Sequence, residues 1–271
     1  MIFLVGLFAS LLGARCKTGS GEGRGEPGRL RSLAIYYGWP SVAGGATSVE
    51  DAAARLAVFD RVVLGAGLER KQHPDHGSTR AILARLRGGR TEVYGYLALG
   101  SATGLDRRAI AAAVEAWREL GAQGIFFDEA GHDFGTTRAR QNLALEAAHR
   151  AGLPAFVNAF DPDDLFTGSP PAALRAGDSY LYESFGLRLG EPEPAAVRGT
   201  KLAKLEVARR RGVLVFGVST SRAPGDLSPG RWSELCKLAR DARLDGVGWG
   251  TPGFGASDGR LPPAIDGGGA P

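Results

Sequence analysis

The chain has 271 residues, of which 44% are hydrophobic and 23% charged, and it contains 41 glycines. This length is close to the roughly 250 residues of a single α/β barrel, and the apolar content is sufficient for one large core. The formal net charge is +4, but residues 1–31 supply most of it through five basic and two acidic side chains. The remainder is nearly neutral, so we expect no nucleic-acid partner.

The N-terminal region begins with an apolar run over residues 2–12. This run is too short for a membrane span, which needs about 20 residues, and is typical of a secretory signal peptide. We predict a signal peptide over residues 1–15, a Gly-rich flexible linker over 16–31 and one barrel domain over 32–271. The protein is then secreted or held at the cell surface. A lipid on Cys16 would tether it to a membrane, although Arg15 fits lipoprotein processing poorly. A misassigned start codon is the alternative.

Short β-type runs alternate with helical stretches from residue 32 onward. The predicted strands cover residues 33–37, 61–65, 92–97, 124–128, 155–158, 179–183, 213–218 and 246–249. The predicted helices cover residues 49–58, 79–87, 107–120, 137–150, 171–175, 195–210 and 231–242. This alternation predicts a parallel (β/α)₈ barrel, the TIM-barrel fold, in a single domain. Residues 251–271 are rich in Gly and Pro, which does not favour a closing helix.

Two of the predicted strands end in carboxylates. Asp128 and Glu129 end the fourth strand, and Glu183 ends the sixth. Active sites of TIM barrels form at the C-terminal ends of the strands, so these acids are expected at one mouth. Hydrolysis of a glycosidic bond needs such a pair. One acid protonates the leaving oxygen, and the other attacks the sugar from about 5–5.5 Å away or activates a water across about 6.5–9.5 Å.

The two acids of the fourth strand need not point the same way. Side chains alternate along a strand, so Asp128 shares a face with Phe126, and Glu129 shares the other face with Phe127. In a regular strand only one of them points to the barrel axis, whereas both reach the cleft if the strand has already ended. Alternatively, Glu129 binds backbone amides of a neighbouring loop.

Other polar and aromatic residues near predicted strand ends are candidates for substrate contact. They are Tyr36, Tyr37, Trp39, Tyr96, His132, Asp133, Asn158, Asp161, Tyr182 and Trp249. The alternative for each aromatic ring is that it fills the upper layer of the barrel core. His73, Asp75 and His76 lie close in sequence without a further ligand nearby, so we predict no metal and no cofactor. The lysines miss the predicted strand ends, which argues against Schiff-base chemistry.

Three segments resemble a known family: GIFFDEAGHDFG (124–135), AIYYGW (34–39) and FVNAFDPDD (156–164). They are similar to the spherulin-four-like proteins, relatives of the endo-α-1,4-polygalactosaminidases in glycoside hydrolase families 114 and 135. The resemblance extends over about residues 32–249. It implies a barrel that hydrolyses galactosamine-containing exopolysaccharides, with Asp128 as nucleophile, Glu183 as acid/base and Glu129 as a second acid. Residues 61–77 depart from the family pattern, which leaves the sugar open.

The sequence therefore predicts a monomeric, retaining endo-glycosidase for an amino-sugar exopolysaccharide. A preference for free amines follows if the cleft gathers Asp128, Glu129, Asp133, Asp161, Asp163 and Glu183. Alternatively, these acids only raise the pKa of Glu183 and the substrate is a neutral glycan. Three other classes stay open: a non-catalytic carbohydrate-binding barrel, a Mg²⁺-dependent lyase or isomerase using the same acids, and a structural surface protein.

Overall fold

The computed structural model describes residues 29–65, 67–223, 228–250 and 260–262. The predicted signal peptide, Cys16 and nearly all of the predicted linker therefore lie outside the described residues, as does most of the predicted irregular segment 251–271. The end of the linker is corrected, because Leu30 is buried in the core and Arg31 begins the first strand. None of the helices in the described ranges is long and apolar enough to cross a membrane.

Eight parallel strands close a barrel, which confirms the predicted TIM-barrel fold. They are β1 (Arg31–Tyr36), β2 (Arg61–Leu64), β3 (Glu92–Ala98), β4 (Gly124–Asp128), β5 (Ala155–Asn158), β6 (Ser179–Glu183), β9 (Leu214–Thr220) and β10 (Gly246–Gly250). Each strand pairs with the next in this order, and β10 pairs with β1 to complete the ring. Between β6 and β9 lies an antiparallel hairpin that the sequence analysis missed, formed by β7 (Leu187–Arg188) and β8 (Glu191–Pro192).

The helices lie between the strands, as a (β/α)₈ barrel requires. They are α1 (Val49–Leu56), α2 (His76–Leu86), α3 (Arg107–Leu120), α4 (Arg138–Arg150), α5 (Asp163–Phe166), α6 (Ala195–Arg210) and α7 (Pro229–Asp241). Short 3₁₀ turns cover Pro40–Gly45, Ser101–Thr103 and His132–Phe134. The predicted helix over residues 171–175 is absent. Its amides are used elsewhere: Ala172 N donates to Leu165 O and Ala173 N donates to Asn142 Oδ1.

Four helices begin at a polar side chain that caps them. Ser48, Asp106, Thr137 and Ser228 each accept a hydrogen bond from a backbone N–H in the first turn of the helix that follows. A cap of this kind stabilises a helix by about 1 kcal/mol. Each cap fixes the first residue of its helix. The loop between the preceding strand and that helix, which lies at the mouth of the barrel, therefore has a defined length.

The interior of the barrel positions the site through the alternation of side chains. At the bottom, the buried Arg61 guanidinium stacks on Tyr94 and Phe216, each 4.3 Å from ring centroid to Cζ. Above it, Phe126 and Leu181 point inward. The next inward positions on their strands are those of Asp128 and Glu183. Both acids therefore stand on an apolar floor at the C-terminal mouth.

Candidate active site

The mouth of the barrel contains a cavity of about 430 Å³. Its floor is apolar, and its walls carry carboxylates from the end of β4 with the loop that follows and from the end of β6. The polar and aromatic lining residues are Tyr37, Asp128, Glu129, Asp133, Phe134, Asn158, Phe160, Glu183, Ser184, Arg188, Thr220 and Ser221. The structure thus brings together the three predicted catalytic acids with three of the predicted substrate contacts.

Asp128 is held by three hydrogen bonds. Tyr96 Oη donates to its Oδ2 at 3.0 Å, and Oδ1 accepts from Asn158 Nδ2 at 3.0 Å and from Glu129 N at 2.9 Å. Burial raises the pKa of Asp128, and these three donors partly oppose that rise because they stabilise the carboxylate. Tyr96 was predicted to contact substrate. Its hydroxyl contacts the acid instead, with Tyr37 packed edge-on at 5.1 Å between centroids.

Asn158 connects the two principal acids. Its Nδ2 lies 3.0 Å from Asp128 Oδ1 and 3.2 Å from Glu183 Oε2, so each of its two N–H groups serves one carboxylate. The two bonded carboxylate oxygens are consequently no more than about 6 Å apart, so both acids lie close enough to act on one glycosidic bond. The sequence analysis assigned Asn158 to substrate contact and did not foresee that it joins the acids.

Glu129 reaches the cavity because β4 ends at Asp128. Glu129 has a left-handed backbone with φ of 53°, which turns its side chain out of the strand alternation. Its carboxylate lies against the backbone N–H of Gly100, and this contact lowers the pKa that burial and the charge of Asp128 raise. The structure thus combines the two alternatives for Glu129: the side chain lines the cavity and also lies against an amide of a neighbouring loop.

Ser184 repeats the same arrangement after Glu183, with φ of 60°. A non-glycine residue in the left-handed region costs about 1–2 kcal/mol, and such residues cluster at functional sites. Each of the two acid-bearing strands is therefore stopped directly after its inward-pointing carboxylate. The sequence analysis did not identify Ser184.

Several predicted contacts are corrected because their side chains point away from the barrel axis. Tyr36 and Tyr182 lie between inward-facing neighbours on their strands and are buried against the helices. Tyr182 Oη donates to Glu193 Oε1 at 2.5 Å. Trp249 is buried outside the barrel, and its Nε1 donates to Ser221 Oγ at 3.2 Å. Trp39 is exposed but packs edge-on against His73 rather than lining the cavity.

The predicted acidic cluster is also smaller than expected. Lys204 Nζ lies 2.7 Å from Asp161 Oδ1 and 2.6 Å from Asp163 Oδ2, so both acids are paired with this lysine outside the cavity of the catalytic acids. His132 bonds to Asp164 through its backbone N and its Nδ1 and does not line the cavity either. Four carboxylates line the cavity itself: Asp128, Glu129, Asp133 and Glu183.

Residues that the sequence analysis missed close the cavity on the side of α6. Arg188 and Leu189 come from the hairpin, and Phe160 follows β5. Gly186 precedes the hairpin and Gly190 lies in its turn, and both have positive φ, which makes them turn signals in the sequence. Lys201 on α6 lies against Phe160, although its position in the sequence is far from any strand end.

The described residues contain no group of three or more His, Cys, Asp or Glu side chains arranged to hold a metal ion. The His73 loop is held by its own bonds. Asp75 N donates to His73 Nδ1, Asp75 Oδ2 accepts from Ser41 N, and His76 Nδ1 lies 2.9 Å from Leu68 O. These contacts account for the ligand-type side chains that the sequence brings close together.

Comparison with known proteins gives the fold class and no closer relationship. No protein-family model and no curated protein matches the chain. Among solved structures, malate synthase of Haloferax volcanii has a TM-score of 0.51 and 12% identity, covering 86% of this chain and 74% of its own. Dihydrodipicolinate synthase of Agrobacterium tumefaciens has a TM-score of 0.50 and 16% identity over 80% and 69%. The cellulose synthase subunit Z of Clostridioides difficile has a TM-score of 0.50 and 9% identity over 82% and 91%.

At such identities the similarity shows the TIM-barrel fold alone. The names of these structures describe synthases and a subunit of a synthase, not glycosidases of the two families that the sequence motifs resemble. The same fold supports many chemistries, so activity must be argued from the site. The class that fold and site define is a TIM barrel with a carboxylate pair at its mouth.

Proposed function

We propose that this protein is a glycoside hydrolase that cleaves an exopolysaccharide internally with retention of configuration. Asp128 is the nucleophile, and Glu183 is the general acid and base. The observation that supports the proposal best is the shared amide of Asn158, which holds the two carboxylates close together at the barrel mouth. No ordinary structural requirement explains why two acids should converge on one amide above an apolar floor.

The reaction then takes two steps. Asp128 attacks the anomeric carbon, the bond from that carbon to the glycosidic oxygen breaks, and Glu183 gives its proton to the departing oxygen. Water next attacks the same carbon, Glu183 accepts a proton from it, and the bond to Asp128 breaks. The donors from Tyr96, Asn158 and Glu129 N keep the Asp128 carboxylate in one orientation, which lowers the entropic cost of attack.

The walls of the cavity suit a sugar polymer. Phe134 and Phe160 remain 46% and 40% exposed while lining it, so apolar faces of sugar rings have aromatic partners on two sides. A mouth open along these rings fits internal cleavage. The amino-sugar part of the proposal rests on the family resemblance, together with Glu129 and Asp133, whose negative charges favour a nearby amine.

A Mg²⁺-dependent lyase or isomerase is the second candidate, and two of the similar structures carry the names of synthases and not of hydrolases. Carboxylates from β4 and β6 offer the oxygen ligands that Mg²⁺ prefers. Against it, the described part of the chain presents no set of three such ligands to one point. A non-catalytic carbohydrate-binding barrel would need the aromatic rings but not the bridged acids.

The decisive experiment measures release of reducing ends from a panel of microbial polysaccharides, including a partly deacetylated galactosamine polymer. Asp128→Asn and Glu183→Gln should each lower the rate at least about 10²-fold, because each removes an essential proton-transfer or bonding group. Glu146→Gln is the matched control, since it makes the same change on the exposed face of α4. Proton NMR of the first product should show the anomer of the substrate. The opposite anomer would contradict Asp128 as nucleophile.

Treatment with a metal chelator distinguishes the hydrolase from the Mg²⁺-dependent lyase or isomerase. Full activity of the wild type after treatment with EDTA supports the hydrolase. Activity that EDTA removes and Mg²⁺ restores, on a substrate that gains no water, would establish the lyase or isomerase instead.

A further inference from the structure

The cavity has a second half that the proposed hydrolysis does not use. Phe160, which follows β5, separates the cavity of the acids from an adjoining hollow of about 230 Å³. The hollow is lined by Phe160, Asp161, Val197, Thr200, Lys201 and Lys204. Phe160 borders both spaces, so a polymer that extends past the acids and over this ring would reach the hollow.

Two cations stand over the ring of Phe160. Lys201 Nζ lies 3.9 Å from the ring centroid, and Arg188 Cζ lies 5.4 Å from it. Lys201 also lies 5.1 Å from the centroid of Tyr182. Arg188 comes from the hairpin and lines the cavity of the acids, whereas Lys201 comes from α6 and lines the hollow. The two charges therefore face the same route from opposite spaces.

Neither cation has a carboxylate partner. Across the part of the chain that the structure describes, no salt bridge involves Arg188 or Lys201. Lys204, one helical turn away on α6, shows the contrast, because Asp161 and Asp163 bind it at 2.7 and 2.6 Å. Burial lowers the pKa of Lys201, the charges of Glu193, Glu183 and Asp161 oppose that fall, and the charge of Arg188 adds to it. The exposed Arg188 and the half-buried Lys201 therefore approach one ring without being held by a salt bridge, which leaves both able to bind a negative group.

We propose that Arg188, Lys201 and Phe160 form a subsite for a sugar that carries an anionic substituent, such as a carboxylate or a sulfate. The sugar ring packs on Phe160, and its negative group accepts hydrogen bonds from the guanidinium and the ammonium. Charge-assisted bonds of this kind are about twice as strong as neutral ones. The subsite rests on the proposed function and narrows it: the substrate is an acidic glycan, not a polymer with amines alone.

The cleft then has two electrostatic halves. Asp128, Glu129 and Asp133 line the cavity on the side of β4, and Arg188 lines it beside Phe160. Lys201 and Lys204 line the hollow on the side of α6, together with Asp161. A polymer that carries its negative substituents toward α6 keeps them away from the carboxylates. This arrangement sets one direction of binding, because the reversed chain would bring anionic groups against the acids.

The test is calorimetric binding of paired probes in the Glu183→Gln background, which suppresses turnover. One pair is a short galacturonic-acid oligosaccharide and its methyl ester, and the other is a sulfated neutral oligosaccharide and its unsulfated form. We expect the charged member of at least one pair to bind about tenfold more tightly or better at low salt. The pair whose charged and uncharged members differ in affinity shows whether the substituent is a carboxylate or a sulfate. Equal binding within both pairs would overturn the proposal.

Substitutions test whether the preference for charged probes arises from Arg188 and Lys201. Arg188→Gln combined with Lys201→Gln should abolish the preference for the charged probe, and Lys201→Arg alone should retain it. Lys237→Gln combined with Arg240→Gln, both on the exposed part of α7, removes the same two positive charges and should leave the preference unchanged. A preference that survives the double change would also overturn the subsite.

The two proposals fail separately. Charge-selective binding without hydrolysis of any glycan would refute the glycosidase and keep the subsite. Hydrolysis without charge selectivity would refute the subsite and keep the glycosidase.

Discussion

The phenolic hydroxyl of Tyr96 donates a hydrogen bond of 3.0 Å to Oδ2 of Asp128. Burial and the neighbouring charge of Asp128 raise the pKa of Tyr96 far above its usual range, so the phenol stays protonated and remains a donor. The same bond lowers the pKa of Asp128 against the effect of burial. The pair thus keeps the proposed nucleophile ionised and oriented.

Removal of this donor should change both rate and pH dependence. Tyr96→Phe is expected to lower kcat about tenfold, because a hydrogen bond to a charged group contributes about 1.5–3 kcal/mol. Without the donor the pKa of Asp128 rises, so the carboxylate becomes protonated at higher pH and the acidic limb of kcat/KM moves upward. Tyr94→Phe is the control, since Tyr94 lies lower in the barrel against Arg61. An unmoved acidic limb in Tyr96→Phe would contradict the assignment.

The bridging amide gives a second prediction. Asn158→Asp keeps the shape of the side chain but places a third carboxyl group between Asp128 and Glu183. Like charges at this distance raise the apparent pKa values of the group as a whole. We expect activity to fall at least about 10²-fold and the remaining activity to require higher pH.

Asn142→Asp provides the comparison, because Asn142 Oδ1 on α4 only accepts a bond from Ala173 N, and an aspartate accepts the same bond. A pH–rate profile of Asn158→Asp that coincides with the wild-type profile would mean that the amide does not couple the acids.

Gly100 tests the role of Glu129. A Cβ atom at Gly100 would meet Glu129 Oε2 at 2.2 Å, while the backbone of Gly100, at φ of −50° and ψ of 145°, suits any residue. Gly100→Ala should therefore keep the fold and displace the Glu129 carboxylate, with a loss of about tenfold in kcat. Gly77→Ala meets no atom within 4 Å and should leave kcat unchanged. If a crystal structure of Gly100→Ala shows Glu129 displaced and kcat equals the wild-type value, Glu129 has no role in catalysis and only contacts the loop.

Backbone strain away from the site gives a stability prediction. Arg243 has φ of 54° in the turn between α7 and β10, and its N–H donates to Arg240 O at 2.9 Å. Arg243→Gly relieves the left-handed strain and should raise the free energy of unfolding by about 0.5–1 kcal/mol after the entropy of the unfolded glycine is subtracted. Arg240→Gly, within α7, should lower it by about 1 kcal/mol. Urea denaturation at constant pH measures both, and destabilisation by Arg243→Gly would refute the account.

The order of elements was predictable from the sequence because it depends on local patterns. Strand β4 and helix α3 were predicted with the bounds that the structure has, since alternating apolar runs and capping residues act within a few positions. The placement of Asp128 and Glu183 at one mouth also followed, because all strands of a parallel barrel end on the same side.

The contacts within the site were decided by the tertiary structure. Asn158 reaches both acids only because the barrel register sets β5 between β4 and β6, pairing Phe127 with Val157 and Asn158 with Leu181. Local sequence does not specify this register. Nor does it specify which way a strand alternates, so Tyr182 and Trp249 were expected in the cleft but point toward the helices.

The charge of the cleft was the property that the sequence predicted least well. Counting acids near strand ends could not reveal that Lys204 on α6 forms salt bridges with Asp161 and Asp163, or that a hairpin turns Arg188 toward the cavity. Electrostatic partners are chosen by distance in space, and here they are separated by about 40 residues in the chain. The sequence by itself determined the barrel and its two acids, whereas folding decided which charges remain beside them.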